Sequence, residues 1–311
     1  MEKNERFEIR TDLALEEKES FSEEAGQVSG VSVREWTDKK RKVKLTEVKI
    51  IDEQGAAAMG KAIGTYITLE ADQLARKDED YHREVSEELG KQISNLIDLE
   101  GKEILVVGLG NPSVTPDALG PKVLGNLKVT RHLQEEEPGM PVLSGIVPGV
   151  MAQTGMETAE ILRGIIKEAK PDLLIVIDAL AARSVRRLGT TIQLTNTGIQ
   201  PGSGVGNHRH SLTEESLGIP VLAIGVPTVV GAAAIVHDTI DTIIRTLAEL
   251  PSTKGTSEFI DNMSSEEQYA LIRELLEPEF GSLYVTPPNI DEMIGMLSFT
   301  ISEGIHHAVW D

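Results

Sequence analysis

Four short runs of the chain are mainly apolar: Ile104–Val107, Leu173–Ile177 and Pro220–Val226, and Val142–Val147, which Ser144-Gly145 interrupts. Each is too short for a helix and is bounded by glycine, proline or polar residues, as expected of strands buried on both faces of a parallel sheet. Between them the period changes. Val85, Leu89, Ile93 and Leu96 recur at helical spacing within Asp78–Ile97, and similar patterns predict helices over 120–133, 150–169 and 233–247, with a last one over 289–307. Strands alternating with helices in this way predict an α/β fold: a mostly parallel central sheet with helices on both faces. Ahead of it, Val43–Ile51 and Thr65–Leu69 alternate as strands and predict an added β-rich N-terminal part, about residues 26–75. Thr190–Thr195 and the short Leu283–Thr286 read as further strands, and Ser211-x-x-Glu214 as a helix-capping box. Residues 1–25 are charged and poorly periodic, and are expected to be extended and exposed.

Composition narrows the function. The chain has 311 residues, no cysteine and a net charge of −20. No disulfide, thiol nucleophile or thiolate metal site is available. A nucleic-acid surface is not expected, because phosphate binding needs clustered Lys and Arg. No apolar run reaches membrane-spanning length and the N-terminus carries no signal-peptide core, so a cytoplasmic protein without membrane contact is expected. The run Gly55-AAAM-Gly60-Lys61 matches most of a phosphate-binding P-loop. Ala62 replaces the expected Ser or Thr, however, and the following residues read as a strand where a P-loop opens a helix. A nucleotide-binding regulator using Gly55–Lys61 is therefore a minor alternative.

The candidate chemistry lies at the strand ends. Ile104–Val107 stops at Gly108 and Gly110, and the loop Asn111–Pro116 delivers Asp117 ahead of a helix opened by Gly120-Pro121. Gly108-x-Gly110 is not a dinucleotide fingerprint: Ser113 replaces the third glycine, and Pro112 and Pro116 delay the helix. Asp117 reads either as a helix cap or as a carboxylate aimed at the crevice beyond the strand ends, where open α/β sheets bind ligands. Leu173–Ile177 runs straight into Asp178, a second acid at the same edge if the connections are right-handed crossovers. Gly149 and Thr154 stand at another strand-to-helix switch, serving either as ordinary turn residues or as donors to a substrate. His208 and His210 follow a glycine-rich loop and are either solvated or available to a metal.

These strings carry a resemblance. GLGN followed six residues on by an acid is similar to the first motif of hydrogenase maturation proteases. GNPSVTPDALGPKV, PGVMAQTGMETAEI and DLLIVIDALAAR resemble the germination proteases of spore-forming bacteria more closely, and the likeness covers most of residues 7–309. It implies the hydrogenase-maturation-protease-like (phosphorylase/hydrolase-like) α/β fold, and an endopeptidase whose paired carboxylates Asp117 and Asp178 activate water without metal or other cofactor. It also implies substrate contacts near Asn111, Gly149, Thr154 and His208. The partners would be small acid-soluble spore proteins as substrate and further copies of the chain in a homotetramer, in the spore core. Thr11-Asp12-Leu13-Ala14-Leu15-Glu16 is similar to the sites such enzymes cut, so the resemblance implies a propeptide of residues 1–14, removed by self-cleavage between Ala14 and Leu15, ahead of one protease domain, 15–311. A hydrogenase-maturation-type, metal-sensing protease is the runner-up.

Overall fold

The structure, a computed structural model, describes residues 11–20, 28–137, 139–201, 210–248, 272 and 283–310. Nine strands form one sheet: β1 (Val31–Asp38), β2 (Val43–Ile50), β3 (Gly64–Glu70), β4 (Glu103–Gly108), β5 (Val142–Ile146), β6 (Leu173–Ala182), β7 (Thr191–Thr195), β8 (Val221–Gly231) and β9 (Tyr284–Val285). They lie in the order β1-β2-β3-β7-β8-β6-β4-β5, with β9 paired to β8. The α/β class expected from sequence holds, but the sheet is mixed, with parallel pairing confined to β5-β4-β6-β8. The N-terminal strands continue the same sheet through the antiparallel pairs β3–β7 and β7–β8. Antiparallel pairs thus outnumber parallel ones. A buried antiparallel strand and a buried parallel strand carry the same apolar run, so pattern alone does not separate them.

Helices cover both faces, which explains the continuous apolar strands. Ile104, Val106, Ile175 and Ile177 pack with α3 (Glu79–Leu96), α4 (Leu119–Asn126) and α9 (Ile290–Trp310) in one core. Leu105, Val107, Leu174 and Val176 face the other way, against Leu162 of α6 (Thr158–Ala169) and Leu217 of α7 (Glu214–Leu217). Further α-helices among the described residues are α1 (Ala14–Ser20), α2 (Glu53–Met59), α5 (Met151–Thr154) and α8 (Ala232–Ala248). The helix expected over 150–169 breaks at Gly155, whose φ of 69° ends α5 in a left-handed turn. The helix expected to reach Leu133 stops at Asn126, where Leu127 turns extended. Thr213 caps α7 in place of Ser211, in reciprocal hydrogen bonds with Ser216. The sequence also predicts a helix capped by Ser264-x-x-Glu267 and running to Leu276; apart from Ile272 it lies outside the described residues.

Two sequence expectations are overturned here. Gly55–Met59 lies within helix α2, whose N-terminus is capped by Asp52, and Gly60 is its left-handed C-cap, so no phosphate cradle forms and the nucleotide reading of Gly55–Lys61 falls. Residues 11–15 are not exposed. Thr11 is buried, and Leu13, Ala14 and Leu15 are almost completely buried. Leu13 packs with Leu180, Leu188 and Val230, and Ala14 with Val48, Ile50, Met59 and Tyr66. Three apolar residues inside a charged tail are enough to dock it, because each fully buried leucine alone contributes about 1.5–3 kcal/mol.

One close approach sets the geometry of the crevice. A Cβ on Gly120 would lie 2.4 Å from the Leu109 carbonyl oxygen and 2.5 Å from its nitrogen, and one on Gly108 would lie 2.4 Å from the Gly120 carbonyl oxygen. The start of α4 therefore sits directly against the end of β4, and backbone atoms cannot yield as a flexible side chain does. We predict that Gly120→Ala lowers stability by about 1–3 kcal/mol in urea unfolding. Gly125→Ala on the same helix meets open space, and should be neutral or stabilising.

Candidate active site

Strand β4 is the first of the parallel group; β5 lies on one side of it and β6 on the other. The crevice between β4 and β6 is thus the topological switch point of this sheet, the place where such folds bind ligands. The two strands separate there. Gly108 pairs with Ile177, the Leu109 N–H donates to the Ile177 carbonyl at 2.8 Å, and β4 then turns away. Strand β6 does not end at Asp178, as the apolar run suggested. It continues to Ala182 beside β8, with a register shift after Leu180. Asp178 is therefore the first β6 residue beyond its pairing with β4.

Asp117 arrives from the other wall. Gly110, at φ 110°, folds the loop back so closely that a Cβ there would lie 1.9 Å from the Asp117 carbonyl oxygen. Pro116 and a short 3-10 turn carry Asp117, whose Oδ2 accepts the Asn111 N–H at 2.8 Å. The capping alternative fails, since Ala118 occupies the N-cap of α4 and no side chain caps that end. Asp178 is 7% exposed, and its Oδ1 accepts the Ala179 N–H at 3.0 Å.

Both aspartates line one cavity of about 460 Å³, together with Gly149, Asp12, Thr228 and Tyr284. Of the other candidates, Asn111 holds the loop: its Oδ1 accepts from Ser113 N–H and Gln153 Nε2 at 3.0 and 3.1 Å. Thr154 serves turn chemistry, bonding the Val150 carbonyl at 3.3 Å and accepting the Met156 N–H at 3.2 Å, and does not line the cavity. His208 lies outside the described residues. His210 is described, lies 3.8 Å from Glu157 and does not line the cavity of the two aspartates. Among the described residues no group of three His, Asp or Glu side chains is gathered for a metal.

Sequence reasoning missed the contribution of the N-terminal segment. Asp12 lines the aspartate cavity and also a second one of about 490 Å³, which contains Lys61, Tyr66, Gln193 and Thr195. The available signal was Gln193, a large polar residue between Ile192 and Leu194 in the buried strand β7. Its Oε1 accepts the Ala14 N–H at 2.7 Å, and its Nε2 donates to the Asp12 carbonyl at 3.1 Å.

A sequence model of germination proteases matches residues 8–258. The chain belongs to the germination protease family. The germination protease of Caldanaerobacter subterraneus subsp. tengcongensis is 50% identical over 308 residues, spanning 97% of this chain and 94% of that protein. That of Clostridium tetani is 44% identical, spanning 97% and 95%, and that of Priestia megaterium 38% identical, also spanning 97% and 95%. The fold and cavity described above are therefore those of a protease, and among the described residues no helix is long and apolar enough to cross a membrane.

Glu16 anchors the segment of this germination protease. Its carboxylate accepts N–H groups from Arg183 at 2.7 Å and Ser184 at 2.9 Å, and the Thr11 hydroxyl. Burial raises its pKa above the ordinary 4.5, outweighing the lowering by Thr11, by the two amides and by Arg187. A carboxyl with a raised folded pKa binds its proton more tightly in the folded state. Its contribution is then most favourable below the ordinary value and is lost as pH rises through the folded one. Acid therefore tightens this anchor. In thermal melts the stability of the parent relative to Glu16→Gln should rise as pH falls from about 7 towards 5; a fall over that range would contradict the assignment.

Proposed function

We propose that this germination protease is the endopeptidase that begins the breakdown of small acid-soluble spore proteins at germination, working in the spore core as a homotetramer. It is made as a zymogen whose residues 1–14 are a propeptide, cut between Ala14 and Leu15 to leave one protease domain, 15–311. The observation that carries the chemistry is that Asp117 and Asp178 line one cavity at the switch point. The family membership and the likeness of Thr11–Glu16 to a cut site support the substrate and the self-processing.

In this reading the two carboxyl groups share one proton, because two neighbouring like charges are not both comfortable away from bulk water. The ionised member takes a proton from a water molecule as the water oxygen bonds to the scissile carbonyl carbon. The protonated member passes its proton to the carbonyl oxygen as charge develops there, so that the adduct is a neutral gem-diol. The resulting diol collapses, the C–N bond breaks, and the leaving nitrogen accepts a proton from the acid–base pair. The products are a new carboxylate and a new amine. The pair titrates as a unit, and either aspartate fits either role. No step needs a metal.

Self-processing requires movement. Ala14 and Leu15 are almost completely buried and open helix α1, and neither lines the aspartate cavity. The segment must therefore unseat and extend before its own site, or a neighbouring copy's, can cut it.

The test is turnover of a peptide containing Thr-Asp-Leu-Ala-Leu-Glu by protein expressed without residues 1–14 and freed of metal with a chelator. The parent should retain full activity. Asp117→Asn and Asp178→Asn should each lower kcat by about 10²–10⁴-fold with unchanged melting curves. Near-normal turnover by a folded variant would overturn the pair, and activity restored only by one added ion would overturn the metal-free route.

A further inference from the structure

Strand β8 carries an irregularity that the aspartate pair does not account for. Asp178 pairs with Gly225 and Leu180 with Pro227, but Ala181 pairs with Val229, so Thr228 is an extra residue with no partner on β6. The side chains change faces across it. Leu222, Ile224 and Val226 belong to the core shared with α3, α4 and α9, whereas Val230 joins Leu180 and Leu188 in a separate cluster. A bulge of this kind re-aims a side chain, and bulges are common next to active sites. It also accommodates Pro227, which has no N–H to give to a sheet.

The bulge is fixed from outside its own strand pair. The Pro227 carbonyl accepts the Gly189 N–H at 3.1 Å, and the Thr228 carbonyl accepts the Thr286 hydroxyl at 2.9 Å. Thr228 is 1% exposed and lines the cavity of Asp117 and Asp178, as does Thr286. Among the described residues the Thr228 hydroxyl has no hydrogen-bond partner. A buried hydroxyl is ordinarily hydrogen-bonded; this one borders space that a substrate would fill. In the sheet β6 lies between β4 and β8. Asp178 therefore stands on the middle strand, with Asp117 following the strand on one side and Thr228 carried by the strand on the other. A threonine hydroxyl stays neutral, so it can donate to a substrate without competing for the proton that the two carboxyl groups share.

We propose that Thr228 is a catalytic residue, its hydroxyl donating a hydrogen bond to the carbonyl oxygen of the peptide bond held at Asp117 and Asp178. This rests on the aspartate-pair reading above and adds a contact to the same substrate. The hydroxyl neither gains nor loses a proton. It polarises the carbonyl as water adds, and it holds the same oxygen once the shared proton has passed there and the diol has formed. A donor fixed in advance by the bulge needs no reorganisation at that moment.

The experiment compares Thr228→Val, which keeps the shape and loses the hydroxyl, with Thr228→Ser, which keeps the hydroxyl. Turnover of the Thr-Asp-Leu-Ala-Leu-Glu peptide by the chain lacking residues 1–14 is read together with shortening of the full-length chain by intact mass, from about pH 5 to 8. Thr228→Val should lower the rate about 10²-fold, and Thr228→Ser should stay within about threefold of the parent. The pH profile should keep its position, because threonine does not titrate in this range. A Thr228→Val rate within about twofold of the parent, or an equal loss in Thr228→Ser, overturns the proposal. A moved pH profile means that the aspartates were displaced, and overturns it as well. If Thr228→Val does not fold, Thr228→Ala takes its place with the same expectation; if the shortened chain does not fold, the full-length chain decides. Asp178→Asn run in parallel separates the two readings. Turnover kept by Asp178→Asn and lost by Thr228→Val refutes only the aspartate pair, and the reverse refutes only the hydroxyl contact. A parent that cuts neither the peptide nor itself overturns both.

Discussion

The parting of β4 from β6 is the constraint on which the site depends. The two strands are paired as far as Gly108 and Ile177, and the glycine-to-backbone contact between β4 and the start of α4 forces the chain to turn there. Strand β6 keeps its other neighbour, β8, and so runs on with one edge open. Everything placed at the crevice follows from that open edge. Asp178 is the first residue on it, Asp117 is brought back over it by the Gly110 turn, and Asp12 pairs with Ala181 three residues further along. A sheet in which β4 continued beside β6 would have neither a cavity nor a place for an added segment.

The same edge explains how a charged tail becomes part of the core. Burying Leu13 and Leu15 contributes roughly 3–6 kcal/mol, enough to offset the ordering of a few residues and the burial of Glu16. The polar groups are then satisfied locally: Glu16 by two amides and a hydroxyl, the carbonyls of Thr11 and Asp12 by Lys61. Arg187 adds ion pairs to Glu70 and, at 2.6 Å, to Glu19 at the far end of α1.

Much of this was legible in the sequence, for identifiable reasons. The parallel strands announce themselves as apolar runs because helices cover both their faces, and α3 and α9 keep a clean helical period because one side of each is core. Asp178 is visible as an acid directly after such a run, and Asp117 as an acid delivered by the loop that follows another. What stayed hidden depends on pairing partners that no local pattern encodes. Strand β1 is exposed along most of its length, as befits an edge, and alternates too weakly to be read. Residues Ala179–Ala182, three alanines and one leucine, give no sign that β8 carries them on as strand. Leu13-Ala14-Leu15 is drowned by surrounding charge, and Lys61 drew attention for a phosphate it does not bind instead of the two carbonyls it does.

The central claim, that the aspartate cavity acts on the segment seated beside it, is tested most directly by the intact mass of the full-length protein after mild acid incubation. The account predicts loss of residues 1–14 and a new terminus at Leu15 in the parent, with no shortening of Asp117→Asn or Asp178→Asn protein incubated alone. The same cut in an isolated aspartate variant, or an intact terminus in the parent, would contradict it.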